Sequence, residues 1–392
     1  MDNKKRTILS LYITEVSGHK QATVAIQYAL RQLAPTIELP AINGFEYAFP
    51  VLEKVVNAIY MFVIKRMPWI WEYLYDNPTV VKRSQFIEEF LYNASHKRIN
   101  KLLSEYQPEA VICTQAFPCG MVAHYKTTYK FKTKLYAVLT DYSPHTFWIN
   151  EGIDYYIVPS TEVMDELIVK GVNPNQIKVF GIPLHPKFSQ KLDRYAIAQK
   201  LNLNPNAPTI LIMGGGRGLG PIKKIIESLL EIQMDLQMVV LAGTNSKILK
   251  QLKKHANSSD KKMLIFDHVD NVEEYMELAT LIISKPGGIT TAESLVKGLP
   301  MVIVDPIPGQ EIRNKNFLEE QGAAVQIENF AQVGPTVEQL LKFPAKLASM
   351  RQAALSQAKP NAASDITKLV LGYASSESQR RLLSAQNLEN YV

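Results

Sequence analysis

Short apolar runs, each about a strand long, alternate along this chain with longer stretches in which apolar residues recur every three or four positions. That alternation is the mark of βαβ units and a parallel sheet, and it excludes a plain helical bundle or an all-β barrel. Residues 7–14 form the first expected strand. Ala22, Ala25, Ile26, Ala29, Leu30 and Leu33 follow at the spacing of a helix with one buried face. Further strands are expected at 110–114, 134–140, 154–158 and 177–180. Pro183, Pro186, Pro205 and Pro208 then interrupt the pattern. A second series resumes with strands at 208–213, 236–242, 262–266, 280–284, 300–304 and 324–327. The chain therefore reads as α/β, with two doubly wound halves. The first is residues 1–180, a linker runs over 181–207, the second half is 208–361, and 362–392 form a helical tail.

A length of 392 residues agrees with two domains. The net charge of +6 favours an anionic partner but falls short of a dedicated nucleic-acid binder, so no nucleic acid is expected. Two cysteines, Cys113 and Cys119, are too few for a disulfide framework or a structural zinc site. The charged start of the chain has no secretory apolar region behind it. The longest charge-free runs, 110–125 and 201–216, fall short of the ~20 apolar residues that a spanning helix needs. A cytoplasmic protein that does not span a bilayer is expected. Residues 44–92 are the aromatic-rich part of the chain. There Lys65 and Arg66 stand close to Trp69 and Trp71, a composition that suits a water–lipid interface as well as it suits a packed core.

Three glycine-bearing loops follow expected strands of the second half, where doubly wound sheets bind their ligands. Met213-Gly-Gly-Gly-Arg-Gly-Leu-Gly220 includes Gly214, Gly215 and Gly216, which let a backbone approach a ligand closely or simply make a tight turn. Ser284-Lys-Pro-Gly-Gly-Ile-Thr-Thr-Ala-Glu-Ser294 offers the amides of Gly287 and Gly288 to a diphosphate. Glu293 is expected in the first turn behind it. It could accept from ribose hydroxyls, or Thr290-Thr-Ala-Glu293 could be a capping box for its own helix. The third loop, Asp305-Pro-Ile-Pro-Gly-Gln-Glu-Ile-Arg-Asn314, brings Gln310 and Glu311 to where they could bond a polyol. Two phosphate-type loops and one polyol-type loop suggest a nucleotide-sugar. In the first half, Ser17-Gly-His19 starts the first helix. A helix N-terminus disfavours a charged imidazole, which suits His19 to act as a general base. Asp141 and His145 follow another strand. The chain has no D-x-D pair, so a diphosphate bridged by a metal on that motif is not expected.

Taken together, Gly18-His-Lys-Gln-Ala22, Thr140-Asp141 with His145 and Trp148, Phe180-Gly-Ile-Pro183, Met213-Gly-Gly-Gly216, Lys285-Pro-Gly-Gly-Ile-Thr290 with Glu293, and Pro308-Gly-Gln-Glu311 with Asn314 resemble the UDP-sugar-dependent diacylglycerol glycosyltransferases. That group comprises bacterial processive diacylglycerol glucosyltransferases and plant monogalactosyldiacylglycerol synthases. The resemblance runs over roughly residues 7–360. It implies a GT-B fold of two Rossmann-like domains facing a cleft, and inverting transfer of a hexose from UDP-hexose to a diacylglycerol-type lipid. No cofactor or metal is implied.

The resemblance also implies roles. His19 is the base, Glu293 the ribose ligand, and Gln310 and Glu311 the sugar ligands. Phe266 to Val269 hold the nucleobase, and Pro286, Thr290 and Asn314 belong to the donor side. Asp141 and His145 lie on the acceptor side. The segment with Lys65, Arg66, Trp69 and Trp71 would meet an anionic membrane surface at the inner face of the cell membrane. This chain departs from the family in one place: Glu15-Val-Ser-Gly18 has one glycine where relatives have a richer loop. Two rival readings go with that departure and with the architecture: a catalytically weak binding protein, and a sugar-nucleotide 2-epimerase of the same fold.

Overall fold

The computed structural model describes residues 6–15, 17–52, 78–215, 221–244, 249, 252 and 261–372, with the backbone alone over 78–87. Two six-stranded sheets, both wholly parallel, carry the fold. The first contains β1 (Ile8–Tyr12), β2 (Ala41–Asn43), β3 (Ala110–Cys113), β4 (Lys134–Val138), β5 (Tyr155–Val158) and β6 (Ile177–Val179), in the order β2-β1-β3-β4-β5-β6. The second contains β7 (Thr209–Met213), β8 (Gln237–Leu241), β9 (Met263–Phe266), β10 (Leu281–Ser284), β11 (Met301–Val304) and β12 (Ala324–Ile327). Its order, β12-β11-β10-β7-β8-β9, is the dinucleotide-type arrangement read from one edge.

Helices cover both faces of each sheet, so its inner strands are mainly apolar. Leu9, Leu11, Ile112, Val239, Ile282 and Val302 are fully buried. The strand missed from sequence is β2. It has three residues behind Pro40, and only Asn43 among them is buried, so no apolar run marks it. It is held in register by β1, with Leu11 opposite Ile42.

The order of each sheet fixes where a ligand can sit. In the first, succession reverses between β1 and β3; in the second, between β7 and β10. The loops leaving β1, β3, β7 and β10 therefore open at these switch points. Two features tie the halves together. The tail helix, Ala362–Val370, returns to the first sheet, where Ile366 is buried with Ile8, Ile26 and Leu30. The loop after β4 closes onto the second domain.

The aromatic-rich segment divides. Phe45 and Tyr92 are buried around Phe117, with ring centroids 4.9 and 5.5 Å from it, so they belong to the core. Phe90 is exposed. Lys65, Arg66, Trp69 and Trp71 lie outside the described residues. No helix among the described residues is long and apolar enough to cross a membrane.

Candidate functional site

Ser17 starts the helix Gly18–Leu33 by accepting from the Lys20 amide at 3.2 Å. This places His19 on the first turn, at the β1–β3 switch point. His19 Nδ1 lies 2.9 Å from the Thr114 carbonyl oxygen. A carbonyl only accepts, so Nδ1 carries the proton and the lone pair is on Nε2. Thr140 Oγ1 is 3.0 Å from the same Nδ1. The residue's backbone is fixed as well: the hydroxyls of Thr114 and Thr23 both donate to its carbonyl, at 2.9 and 3.1 Å. Burial pushes the imidazole down to about 4, against the upward pull of the Thr114 carbonyl. Burial thus keeps His19 neutral at ordinary pH. Thr23, Thr114 and Thr140 are the partners that sequence reasoning missed. Thr114 closes a strand that the pattern did identify, which was the available signal.

Glu15 is engaged by Lys20 and by the Tyr12 hydroxyl, which hold its carboxyl below the usual range. The charge in this reduced glycine loop is thereby balanced by Lys20.

His145 has a different tautomer. Its Nδ1 accepts from the Phe147 amide at 3.3 Å, capping the short turn Thr146–Trp148, and its ring packs edge-on against Phe147. In the neutral form the proton is then on Nε2, which makes His145 the poorer base of the two.

On the second sheet, Gly214 donates its amide to Leu241 O at 3.1 Å. That N–H is therefore used by the sheet, while the rest of the Gly214 backbone stands at the strand end where the loop begins. Gly215 is exposed in the left-handed region, at φ +71°, which suits glycine. Gly216 lies outside the described residues.

The helix behind β10 runs Gly288–Lys297 with Gly287 at its N-cap, and no side chain caps it. Its first amides therefore have no side-chain partner, an arrangement that can bind anions. The capping-box reading of Thr290 and Glu293 is overturned, because the helix begins at Gly288 and Glu293 is its sixth residue. Glu293 is buried, and burial pushes its carboxyl up to about 8; nearby Glu273 adds to this and Lys187 opposes it.

At the end of β9, Phe266 tilts against Tyr275 at 5.1 Å, and Val269 packs on the same core. Gln310 and Glu311 open the helix Gln310–Glu320. Glu311 accepts from the Ile307 amide at 2.7 Å. Burial nevertheless pushes it up to about 7, against that bond and Lys285. Lys285 pairs with Asp305 at 2.7 Å.

The two halves meet at the loop after β4. Asn314, fully buried, accepts from the Tyr142 amide at 2.7 Å and donates to Asp141 Oδ1 and to Pro286 O, each at 3.0 Å. Expected on the donor side, it reaches the donor loop through Pro286 O and also engages the loop of the first domain. Arg313 donates to Ser143 Oγ at 2.8 Å, and Tyr142 stacks on Phe317 at 4.3 Å. Asp141 is pushed up to about 6 by burial, with Asn314 opposing. Among the described residues, no group of three or more His, Cys, Asp or Glu side chains is placed to hold a metal ion.

The start of the helix that carries His19 thus packs on the start of the donor helix, where a Cβ on Gly18 would lie 2.9 Å from Ile289 Cγ1, and the Thr140 loop touches both His19 and Gly288. Residues 19–184 match the monogalactosyldiacylglycerol (MGDG) synthase family, and residues 209–370 match the glycosyltransferase family 28 C-terminal domain. The chain is 28% identical over 342 residues to the processive diacylglycerol beta-glucosyltransferase of Bacillus subtilis (strain 168), covering 86% of this chain and 88% of that one. It is 29% identical over 369 residues to the enzyme of the same description from Bacillus cereus (strain ZK / E33L), covering 94% of each. Among solved structures, MurG of Acinetobacter baumannii superposes with a TM-score of 0.62 at 13% identity, over 94% of this chain and 100% of that one. The UDP complex of Staphylococcus aureus MnaA gives 0.62 at 15% identity, over 95% and 98%. At such identities these two structures bear on the fold alone: it is the two-domain GT-B architecture.

Proposed function

We propose that this chain, which belongs to the UDP-sugar-dependent diacylglycerol glycosyltransferase family, transfers a hexose with inversion to a diacylglycerol-type lipid at a membrane surface. The observation that carries this reading is that one loop joins the two sites: Thr140 Oγ1 lies 3.0 Å from His19 Nδ1, and the Thr140 carbonyl packs against Gly288 at the head of the donor helix. Nε2 of His19 takes the proton of the acceptor hydroxyl as its oxygen attacks the anomeric carbon. The bond from that carbon to the diphosphate oxygen breaks on the opposite face, and UDP leaves with the electron pair. The Gly215 amide and the open turn of the helix Gly288–Lys297 stabilise the departing charge. No D-x-D pair stands in the sequence to bridge a metal there, so we read the reaction as metal-independent.

In this reading Phe266 and Val269 hold the base, Glu293 the ribose, and Gln310 and Glu311 the sugar. The acceptor enters through a cavity of about 780 Å³ beside the β1 loop, lined by Glu15, Ile42, Asn43, Tyr47, Arg98 and Lys101 among others. The test is to incubate the protein with a panel of UDP-hexoses and vesicles containing diacylglycerol, and then to analyse the lipids by mass and anomeric configuration. A β-linked hexosyl lipid from an α-linked donor is expected, with faster transfer on vesicles that contain anionic lipid and slower transfer as salt is raised. Retention of configuration, or no lipid product from any donor, would sink the proposal.

Glu293 makes a separate prediction. With its carboxyl raised to about 8 by burial, the unliganded protein holds a proton there at neutral pH. Ribose hydroxyls that donate to the carboxylate favour the ionised form, so UDP binding must release that proton. Affinity should therefore climb as pH rises toward about 8, by up to about tenfold per pH unit, and level off above it. Glu293→Gln should flatten the curve. Calorimetric titrations in two buffers of different ionisation enthalpy measure the proton directly. Binding without proton release in the wild-type protein would remove Glu293 from the ribose site.

A further inference from the structure

One side chain joins the loop after β4 to the head of the donor helix without touching His19 itself. Asn314 sits on the second domain with its amide fully buried. Its oxygen accepts from the Tyr142 amide at 2.7 Å, and its nitrogen donates to Asp141 Oδ1 at 3.0 Å, so it holds two consecutive residues of the 140–143 loop. The same nitrogen donates to Pro286 O at 3.0 Å, immediately before the N-cap glycine of the donor helix. At the other end, Thr140 Oγ1 lies 3.0 Å from His19 Nδ1.

We propose that Asn314 is a positioning residue: its amide locks the Thr140–Ser143 loop to Pro286, and so sets the register between the His19 imidazole and the leaving diphosphate. The inference rests on the reading of His19 as the base. A buried amide with three bonds has a single productive orientation, so it transmits position in a way that a hydrophobic contact does not. The neighbouring contacts, Arg313 to Ser143 and Tyr142 on Phe317, bring the same loop to the same helix but do not reach Pro286. Among these side-chain hydrogen bonds, those of Asn314 are the ones that reach both the loop and Pro286.

If the lock holds the loop over the imidazole, it also keeps His19 dry. The experiment is an NMR titration of the His19 ring, alongside steady-state kinetics and UDP calorimetry, in wild type, Asn314→Ala and Asn314→Asp. Asn314→Asp preserves shape and still accepts from Tyr142. When ionised it cannot donate to Pro286 O, and it sets a second carboxylate against Asp141. In both variants kcat should fall by about 10²-fold, the order expected when reacting groups are displaced by about 1 Å. UDP affinity should hold. The His19 titration should move up from about 4 toward the ordinary 6.5 as water reaches the ring.

A merely structural role would lower the melting temperature without moving that titration or separating kcat from UDP binding. If Asn314→Ala does not fold, Asn314→Asp decides. A His19 titration still near about 4 in the folded variants overturns the inference, whatever the activity. Its failure is separable from failure of the base reading, which would show as wild-type turnover in His19→Ala.

Discussion

Replacing His19 by alanine should lower turnover by on the order of 10²–10⁴ and leave UDP affinity as in the wild-type protein. The asymmetry follows from where the groups sit. The imidazole belongs to the first sheet, and the loops expected to bind UDP leave β7, β9, β10 and β11 of the second. Removing a general base costs the proton transfer and little else. The turn itself survives, because its backbone is anchored by Thr114 and Thr23 hydroxyls on the His19 carbonyl, and those bonds do not involve the ring. The Thr114 carbonyl loses one bond, a cost of about 1 kcal/mol in stability.

The wild-type acid limb should carry the same signature. A base that titrates at about 4 is lost only as pH falls through that value, well below an ordinary histidine. Steady-state rates, UDP calorimetry and circular dichroism on wild type and His19→Ala decide the matter. Wild-type rates in the variant would end the assignment, and His145 would inherit the role despite its tautomer. Equal losses of turnover and UDP affinity would make His19 a donor contact.

Much of this architecture was legible because its strands are buried on both faces. Ile112, Val239 and Ile282 stand among consecutive apolar residues, and such runs can be read without a partner. β2 was not legible for the converse reason: a three-residue strand at a sheet edge, with Ala41 exposed, has no burial pattern to show. The glycine loops could be read because a helix N-terminus at a strand end needs small residues at fixed offsets. Even so, local pattern misled at Thr290–Glu293, where the sequence of a capping box lies inside a helix that had already begun at Gly288.

What sequence could not supply was pairing at a distance. Asn314 and Asp141 are 173 positions apart, and His19 and Thr114 are 95 apart. Hydrogen bonds of that kind leave no periodicity, so Asn314 looked like one more polar residue of the donor loop. The tail helix gave no sign that Ile366 would pack against β1 of the first domain.

Gly288→Ala should be the most damaging added methyl among the described glycines. A Cβ at Gly288 would lie inside the van der Waals envelope of Thr140 O, 2.9 Å from the Thr140 carbonyl carbon and 3.0 Å from Asp141 Oδ1. The obstacle is backbone and cannot rotate away. Either the 140–143 loop or the helix must retreat by about 1 Å, which breaks the registry of base and leaving group and should lower kcat by about 10²-fold. Within its own helix, of which Gly288 is the first residue, the substitution should not destabilise, since alanine is a better helix former than glycine. Loss of activity should therefore come without a matching loss of helix stability, and small-angle scattering should show the domains more open. Gly287→Ala gives the steric contrast. A Cβ there meets only Glu311 Oε1 at 4.0 Å, so the domains should stay closed in scattering, whatever happens to UDP binding. Wild-type turnover in Gly288→Ala would mean that the closed contact between Thr140 and the donor helix is not the geometry in which transfer occurs.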